Sequence, residues 1–482
     1  MEIKEKSVLN ILRKFLCSNY YPIALTLIAV ICHVAGLDVP GYIIFSLCGI
    51  AINLFLSDCR PIIPTFIIAG TCTSAINAFG KGEASSYYSS PVVLSLLVVA
   101  GALVIISAIA HIIIYKSYRG LWAKLKKSLT ALGIAILCVA MLVAGLFSGY
   151  IDLNAFIISG TFVAILVALY LYILCTISKR SDNIDYVALC IMLMGIAIAC
   201  QVLSFYAFNF RGQALDSAWK DSLLLGAYVS NSAGEMMVIT LPVYFMFAYK
   251  KKHGWAYILG AVAMFGVVLL TLSRASMLFA VPVFIFGLVW CCFKGNYKKF
   301  SRIFTCGCIV VGIAVVALFL IKGGFEKIGG FFGDTGLADR GRFSLWSQMI
   351  ECFKQFPIFG AGFSVLYQLN NHASGNVNLY SALAHNTIFQ MIGSCGIVGI
   401  LAYAFHRFTT IKMFVKKYNS DRLFMGITML TFLLLALLDQ IFFFPHFIIL
   451  YAILLAISEI DYTQTEIIQN EEHVEPKEKT EK

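Results

Sequence analysis

Apolar residues run along this chain in long unbroken stretches, and polar residues gather where those stretches stop. The runs show no alternation of period two, so they predict membrane-spanning helices and not barrel strands. Helices and closed barrels are the folds that satisfy backbone hydrogen bonds in lipid. Fourteen runs qualify, at about 20–37, 41–57, 62–79, 91–115, 129–149, 153–177, 184–209, 224–249, 255–273, 275–293, 303–321, 386–405, 423–441 and 443–458. Several lie near the lower limit of roughly 17 residues for a spanning helix, so the expected bundle has about 12 to 14 spans. The predicted fold class is all-α, a polytopic transmembrane helical bundle with one large extracytoplasmic loop.

The same pattern divides the chain. Residues 1–19 read as a basic, amphipathic, cytoplasmic N-terminus, residues 20–321 as a transmembrane bundle, and residues 322–385 as the large loop. Residues 386–458 return as C-terminal spans. Residues 459–482, rich in Glu and Lys, read as a disordered cytoplasmic tail. The first apolar run lacks a small-residue cleavage site after it, so it is expected to be a retained helix and not a removed signal peptide. Internal repeats are not evident.

Composition supports the membrane reading. Apolar residues make up 60% and charged residues 13%, with mean hydropathy +0.86; soluble domains have roughly 45–50% and about 25%. The net charge of +11 has an ordinary cause in a polytopic protein, because basic loops stay on the cytoplasmic side. With the N-terminus inside, most of the 36 basic residues fall in inner loops. Those left outside are Lys81, Arg211, Lys220, Arg274, Lys322, Lys327, Arg340, Arg342 and Lys354. The fifteen cysteines lie mostly within apolar runs and lack CxxC pairs flanked by histidine, so neither a zinc site nor a disulfide framework is expected. Cys352 is the cysteine of the long loop.

The outer side also gathers the candidate chemistry. Arg274 sits in Leu272-Ser273-Arg274-Ala275-Ser276, a turn between two apolar runs, where a guanidinium either faces the bundle or snorkels to headgroups. Arg340 and Arg342 follow Asp339; an arginine fork suits a diphosphate, and pairing with Asp339 is the bland alternative. Phe343, Trp346, Met349, Ile350 and Phe353 recur at three or four residues, predicting an amphipathic helix along the membrane surface, closed by Pro357-x-x-Gly360-x-Gly362. His385 is a candidate proton acceptor, with His372 a weaker one. Asn386 follows His385 and is placed to cap the next helix. Arg211 and Lys220 add positive field. Glu235, Asn231, Asp439 and Gln440 are intramembrane polar groups that fit function or helix–helix hydrogen bonding equally well. Neither a catalytic metal nor a cofactor is expected.

In order, Ser273-Arg274, Arg342-x-x-x-Trp346, Pro357-x-x-Gly360-x-Gly362, His385-Asn386-x-x-x-Gln390 and Gly393-x-x-Gly396-x-x-Gly399 resemble the O-antigen ligase and polymerase family of polytopic bacterial membrane glycosyltransferases. The resemblance covers Ser273 to Ile400; after Arg274 the chain departs from the family's usual glycine, with Ala275-Ser276-Met277. It implies a C-type glycosyltransferase architecture in the bacterial cytoplasmic membrane. It also implies a metal-independent, inverting enzyme acting outside the cytoplasm on a polyprenyl-diphosphate-linked glycan donor and a glycan acceptor. By motif position Arg274 and Arg342 correspond to diphosphate-contacting arginines and His385 to the essential histidine. Arg340, Trp346, Asn386, Arg211 and His372 are the further substrate-binding candidates. A repeat-unit polymerase, with a chain-length regulator as a possible partner, is the favoured reading. A ligase to lipid core or protein is the first alternative, and a lipid-linked oligosaccharide flippase is the alternative from another class.

Overall fold

Each of the fourteen apolar runs contains a helix. A computed structural model describes residues 10–73, 90–148, 153–212, 215, 217–225, 228–293, 299–319, 342–362, 384–416, 419–439 and 441–472. A short helix, α1 (Asn10–Leu16), bends by 75° into α2 (Tyr20–Ala35). Then follow α3 (Asp38–Phe55), α4 (Ile62–Ala69), α5 (Pro91–Ile114), α6 (Leu121–Lys127), α7 (Ala131–Leu142), α8 (Leu153–Thr176), α9 (Asn183–Asn209) and α10 (Ser217–Ser222). Next come α11 (Ser230–Lys250), α12 (Gly254–Leu270), α13 (Arg274–Phe293), α14 (Lys299–Phe319), α15 (Arg342–Gln355), α16 (Thr387–Lys416), α17 (Ser420–Leu435) and α18 (Pro445–Glu472). The chain is a polytopic all-α membrane protein.

Among the described residues seven helices are long and apolar enough to cross a membrane, or nine if two sharply bent pairs each form one span. Three shorter apolar helices are Ile62–Cys72, Gly254–Leu270 and Ser301–Gly312. Several runs depart locally from the expected spans. The run at 62–79 leaves the α-helix at Gly70, passes through a 3₁₀ turn, and is extended at Thr73. The run at 224–249 opens instead with a two-residue hairpin, β1 (Leu224–Leu225) pairing antiparallel with β2 (Tyr228–Val229), and becomes helical only at Ser230. Beyond 458 the last helix runs on to Glu472.

α11 is the axis of the bundle. Nearly all of it is buried, against α9, α12, α13 and α17. Close approach depends on Gly234: a methyl there would come 2.5 Å from Ser276 Oγ and 2.8 Å from Thr271 Oγ1. At the other extreme α5 packs mainly on α3 and exposes almost its whole surface. Its leucines, isoleucines and valines face acyl chains, which are as apolar as they are.

Ion pairs and loop contacts separate into two ends. At one, Lys250 bridges Asp185 at 2.5 Å and Asp421 at 2.7 Å, Arg60 meets Asp182 at 2.7 Å, and Arg180 meets Asp58 at 2.8 Å. Arg422 donates to Asp461 from Nε at 2.7 Å at the same end. These are the loops with the basic excess. One residue counted with them is elsewhere: Arg407 is buried within α16, its guanidinium 4.4 Å from the Tyr403 ring centroid and 4.5 Å from that of Phe442. An aromatic cage suits a weakly hydrated guanidinium better than it would an ammonium. Every described cysteine is a free thiol.

Candidate active site

The opposite end holds the candidate chemistry, and it is built outward from the first turn of α11. Gly234 brings that turn against the segment Thr271–Ser276. The segment is tightly wound. Leu272 has φ of 54°, Ser276 Oγ donates to Ser273 Oγ at 2.8 Å, and Ser273 N–H donates to Thr271 Oγ1 at 3.3 Å. Arg274 is therefore the first residue of α13, half-buried at the helix mouth. A positive φ at a branched residue is costly, and such strain clusters at functional turns.

The residue after Gly234, Glu235, is fully buried, and among the described residues neither of its carboxylate oxygens has a hydrogen-bond partner. Its electrostatic neighbours are Asp439, Arg342 and Lys220. Groups from α10, α11, α15 and the turn after α17 thus converge on one end of the bundle. Asp439 in turn meets His385, with Oδ1 3.0 Å from Nδ1. An ionised carboxylate only accepts, so Nδ1–H is the donor and the basic lone pair is on Nε2. The Asp439 side chain is 9% exposed and that of His385 40%, which gives a buried anchor and a half-open imidazole. His385 itself has φ of 49°.

The residues around His385 hold it there. Asn386 Oδ1 accepts from the backbone N–H of Ile388 at 2.8 Å and of Phe389 at 3.1 Å, capping α16 as its position predicts. Its amide donates to Leu437 O at 2.7 Å, and Thr387 N–H donates to Ala436 O at 2.9 Å. Trp346 Nε1 donates to Ala384 O at 2.8 Å, and its ring stacks on Phe389 at 4.9 Å and 7°. Gln390 Oε1 accepts from Ala384 N–H at 2.8 Å. Trp346 and Asn386, expected to bind substrate, thus both have polar groups engaged in fixing the backbone beside His385.

The glycine motifs have a joint geometric role. α16 is broken at Gly396, with φ 62° and ψ −155°. The turn after α15 fits into the break. Ala361 and Gly362 N–H donate to Gly393 and Ser394 carbonyls, each at 2.9 Å, while Ile397 and Val398 N–H donate to Pro357 and Ile358 carbonyls at 2.8 and 3.1 Å. The backbone groups released by the break are satisfied by the turn, as they must be where water is scarce. In α15 Met349 and Cys352 are the buried face. Burial, with the Glu351 carboxylate adding to it, pushes the Cys352 thiol up to about 11, so it packs as a neutral group.

Residues 259–404, which carry Arg274, Arg342 and His385 on α13, α15 and the mouth of α16, match the O-antigen ligase family. The match supports placing this segment in that family. No curated protein matches the chain. The family match supports a role in surface polysaccharide synthesis or ligation, suggests a glycosyltransferase-like membrane enzyme, and implies lipid-linked glycan substrates. Glu235 and Asp439 lie outside the matched segment. Arg211 is exposed on the loop before α10, donating to Phe210 O at 3.2 Å beside a cluster of Phe205, Tyr206, Phe210 and Trp219 rings. Arg340 and His372 lie outside the described residues. Among the described residues no three His, Cys, Asp or Glu side chains are grouped so as to hold a metal ion. Arg274, Arg342 and Lys220 are among the cations that the described residues bring to this end.

Proposed function

We propose that this protein polymerises polyprenyl-diphosphate-linked glycan units at the outer face of the bacterial cytoplasmic membrane. What carries the reading is one convergence: the Arg274 turn, Arg342 and the His385–Asp439 pair meet around the first turn of α11. The outer placement follows from the basic excess at the opposite end, which is retained in the cytoplasm.

In this reaction an acceptor sugar hydroxyl attacks the anomeric carbon of the donor. The new C–O bond forms as the bond to diphosphate breaks on the far face, inverting the centre. Charge develops on the departing diphosphate, where fixed guanidinium groups stabilise it far better in a water-poor site than in bulk. His385 Nε2 takes the hydroxyl proton, and Asp439 steadies the imidazolium so formed. The residues need no metal for these steps. Polymerisation is favoured over ligation because both substrates of a polymerase carry a diphosphate, and Lys220 and Arg342 add to the charge that Arg274 supplies. The boundary position of these cations sets the site apart from a flippase, whose binding groups lie near the midplane.

The test uses the purified chain in detergent with a polyprenyl-diphosphate oligosaccharide. Products longer by whole repeat units are expected, with Arg274→Ala, Arg342→Ala and His385→Ala each lowering the rate by about 10²–10⁴-fold. Transfer only to lipid core or protein would assign ligation instead. Full rates in all three variants would remove the site.

A further inference from the structure

At the end of the bundle opposite His385, a cavity of about 350 Å³ opens beside α6, the end of α8 and α18. Lys124, Lys127, Lys179, Ser178, Leu174 and Glu459 are among its lining. α6 turns by 92° from α7. Since α7 runs with the bundle, α6 lies along the membrane surface.

The sequence of α6 suits that position. Leu121 and Leu125, one helical turn apart, pack on the core. Trp122 is 70% exposed, with Lys126 Nζ 5.5 Å from its ring centroid. A tryptophan exposed on a surface helix belongs at headgroup depth. Lys124 is held in place, Nζ donating to Leu174 O at 2.6 Å. The acidic group in the lining is engaged elsewhere: Glu459 accepts from Leu129 N–H at 3.0 Å and Thr130 Oγ1 at 2.7 Å. Beyond α6, α7 exposes Leu132, Ile136 and Val139 on one stripe, an apolar track for acyl chains.

We propose that this cavity binds the headgroup phosphate of an anionic phospholipid, with Lys127 and Lys179 as the exchangeable contacts and Lys124 as the fixed one. The proposal is independent of the reaction at the other end. Its occupant is a lipid and not a free anion because the charge sits between a surface tryptophan and an apolar track.

The test is native mass spectrometry of the full chain released from membranes containing phosphatidylglycerol and phosphatidylcholine. Preferential retention of phosphatidylglycerol is expected. At about fivefold per lysine charge in the headgroup zone, retention should fall by at least about 20-fold in Lys127→Glu/Lys179→Glu. The control Lys252→Glu/Lys412→Glu makes the same charge change at exposed positions and is expected to leave retention unchanged. Should the first variant fail to fold, Lys127→Gln/Lys179→Gln replaces it. Equal loss in variant and control, or no preference between the two lipids, overturns the proposal. So does displacement of the lipid by excess inorganic phosphate, which would make the pocket a free-anion site.

Discussion

An imidazole is a useful base only when one of its nitrogens is committed, and at His385 that commitment is the 3.0 Å contact to Asp439. Asp439→Asn keeps the shape but lets the ring adopt the wrong tautomer, so the turnover rate is expected to fall by about 10²–10⁴-fold with little change in donor KM. Initial rates across donor concentrations check this, and a pure KM effect would assign Asp439 to binding. Glu235 makes a different prediction. Its two oxygens are buried without hydrogen bonds among the described residues, a cost that an isosteric apolar side chain removes. Glu235→Met is therefore expected to stabilise the protein by about 1–3 kcal/mol, read as a higher thermal midpoint; a lower midpoint would mean that the carboxylate supports the fold. Arg274, Arg342 and His385 were legible as candidates because each carries unusual chemistry at a predicted membrane boundary. The pairing of His385 with Asp439 was not, since 54 residues separate them and no local pattern links them. Trp346 and Asn386 were legible as polar and aromatic residues near a site; the fold adds that each also braces the backbone beside His385.

At the scale of elements, the surface helix α15 and the broken helix α16 form one unit. The apolar spacing from Phe343 onward foretold α15, and Asn386 foretold the start of α16. The break at Gly396 was hidden, because three glycines at intervals of three read equally well as a smooth packing face. It becomes necessary only when the 357–362 turn is seen lying in it. A methyl group at Gly360 would sit 2.3 Å from the Ser394 carbonyl carbon, in a backbone with φ of 69°. Gly360→Ala is thus expected to cost more than about 3 kcal/mol and to lower the amount of folded protein in the membrane. Gly312→Ala, where a methyl meets nothing within 4 Å, is the matched control in a fluorescence-detected size-exclusion assay.

Over the whole molecule, each apolar run contains a helix, and loop charge divides the helix ends into a basic group and a less basic one. What the runs could not give was helix length, as α4 and the hairpin before α11 show. Orientation is checked by cysteine labelling after replacing the exposed Cys17 and Cys306. Ser347→Cys is expected to react with a membrane-impermeant maleimide in intact cells, and Lys252→Cys only after permeabilisation; the reverse would invert the topology. α11 joins the two ends. Its first turn is the floor beneath Arg274, and its last residue, Lys250, is clamped by Asp185 and Asp421. A helix of this length rises about 30 Å, the thickness of a hydrocarbon core. Pinned at top and bottom, this pillar cannot lean to follow a thinner or thicker bilayer, so the height of the cations is set by protein and that of the donor's diphosphate by lipid. Turnover should therefore peak at one acyl-chain length and decline on either side of it.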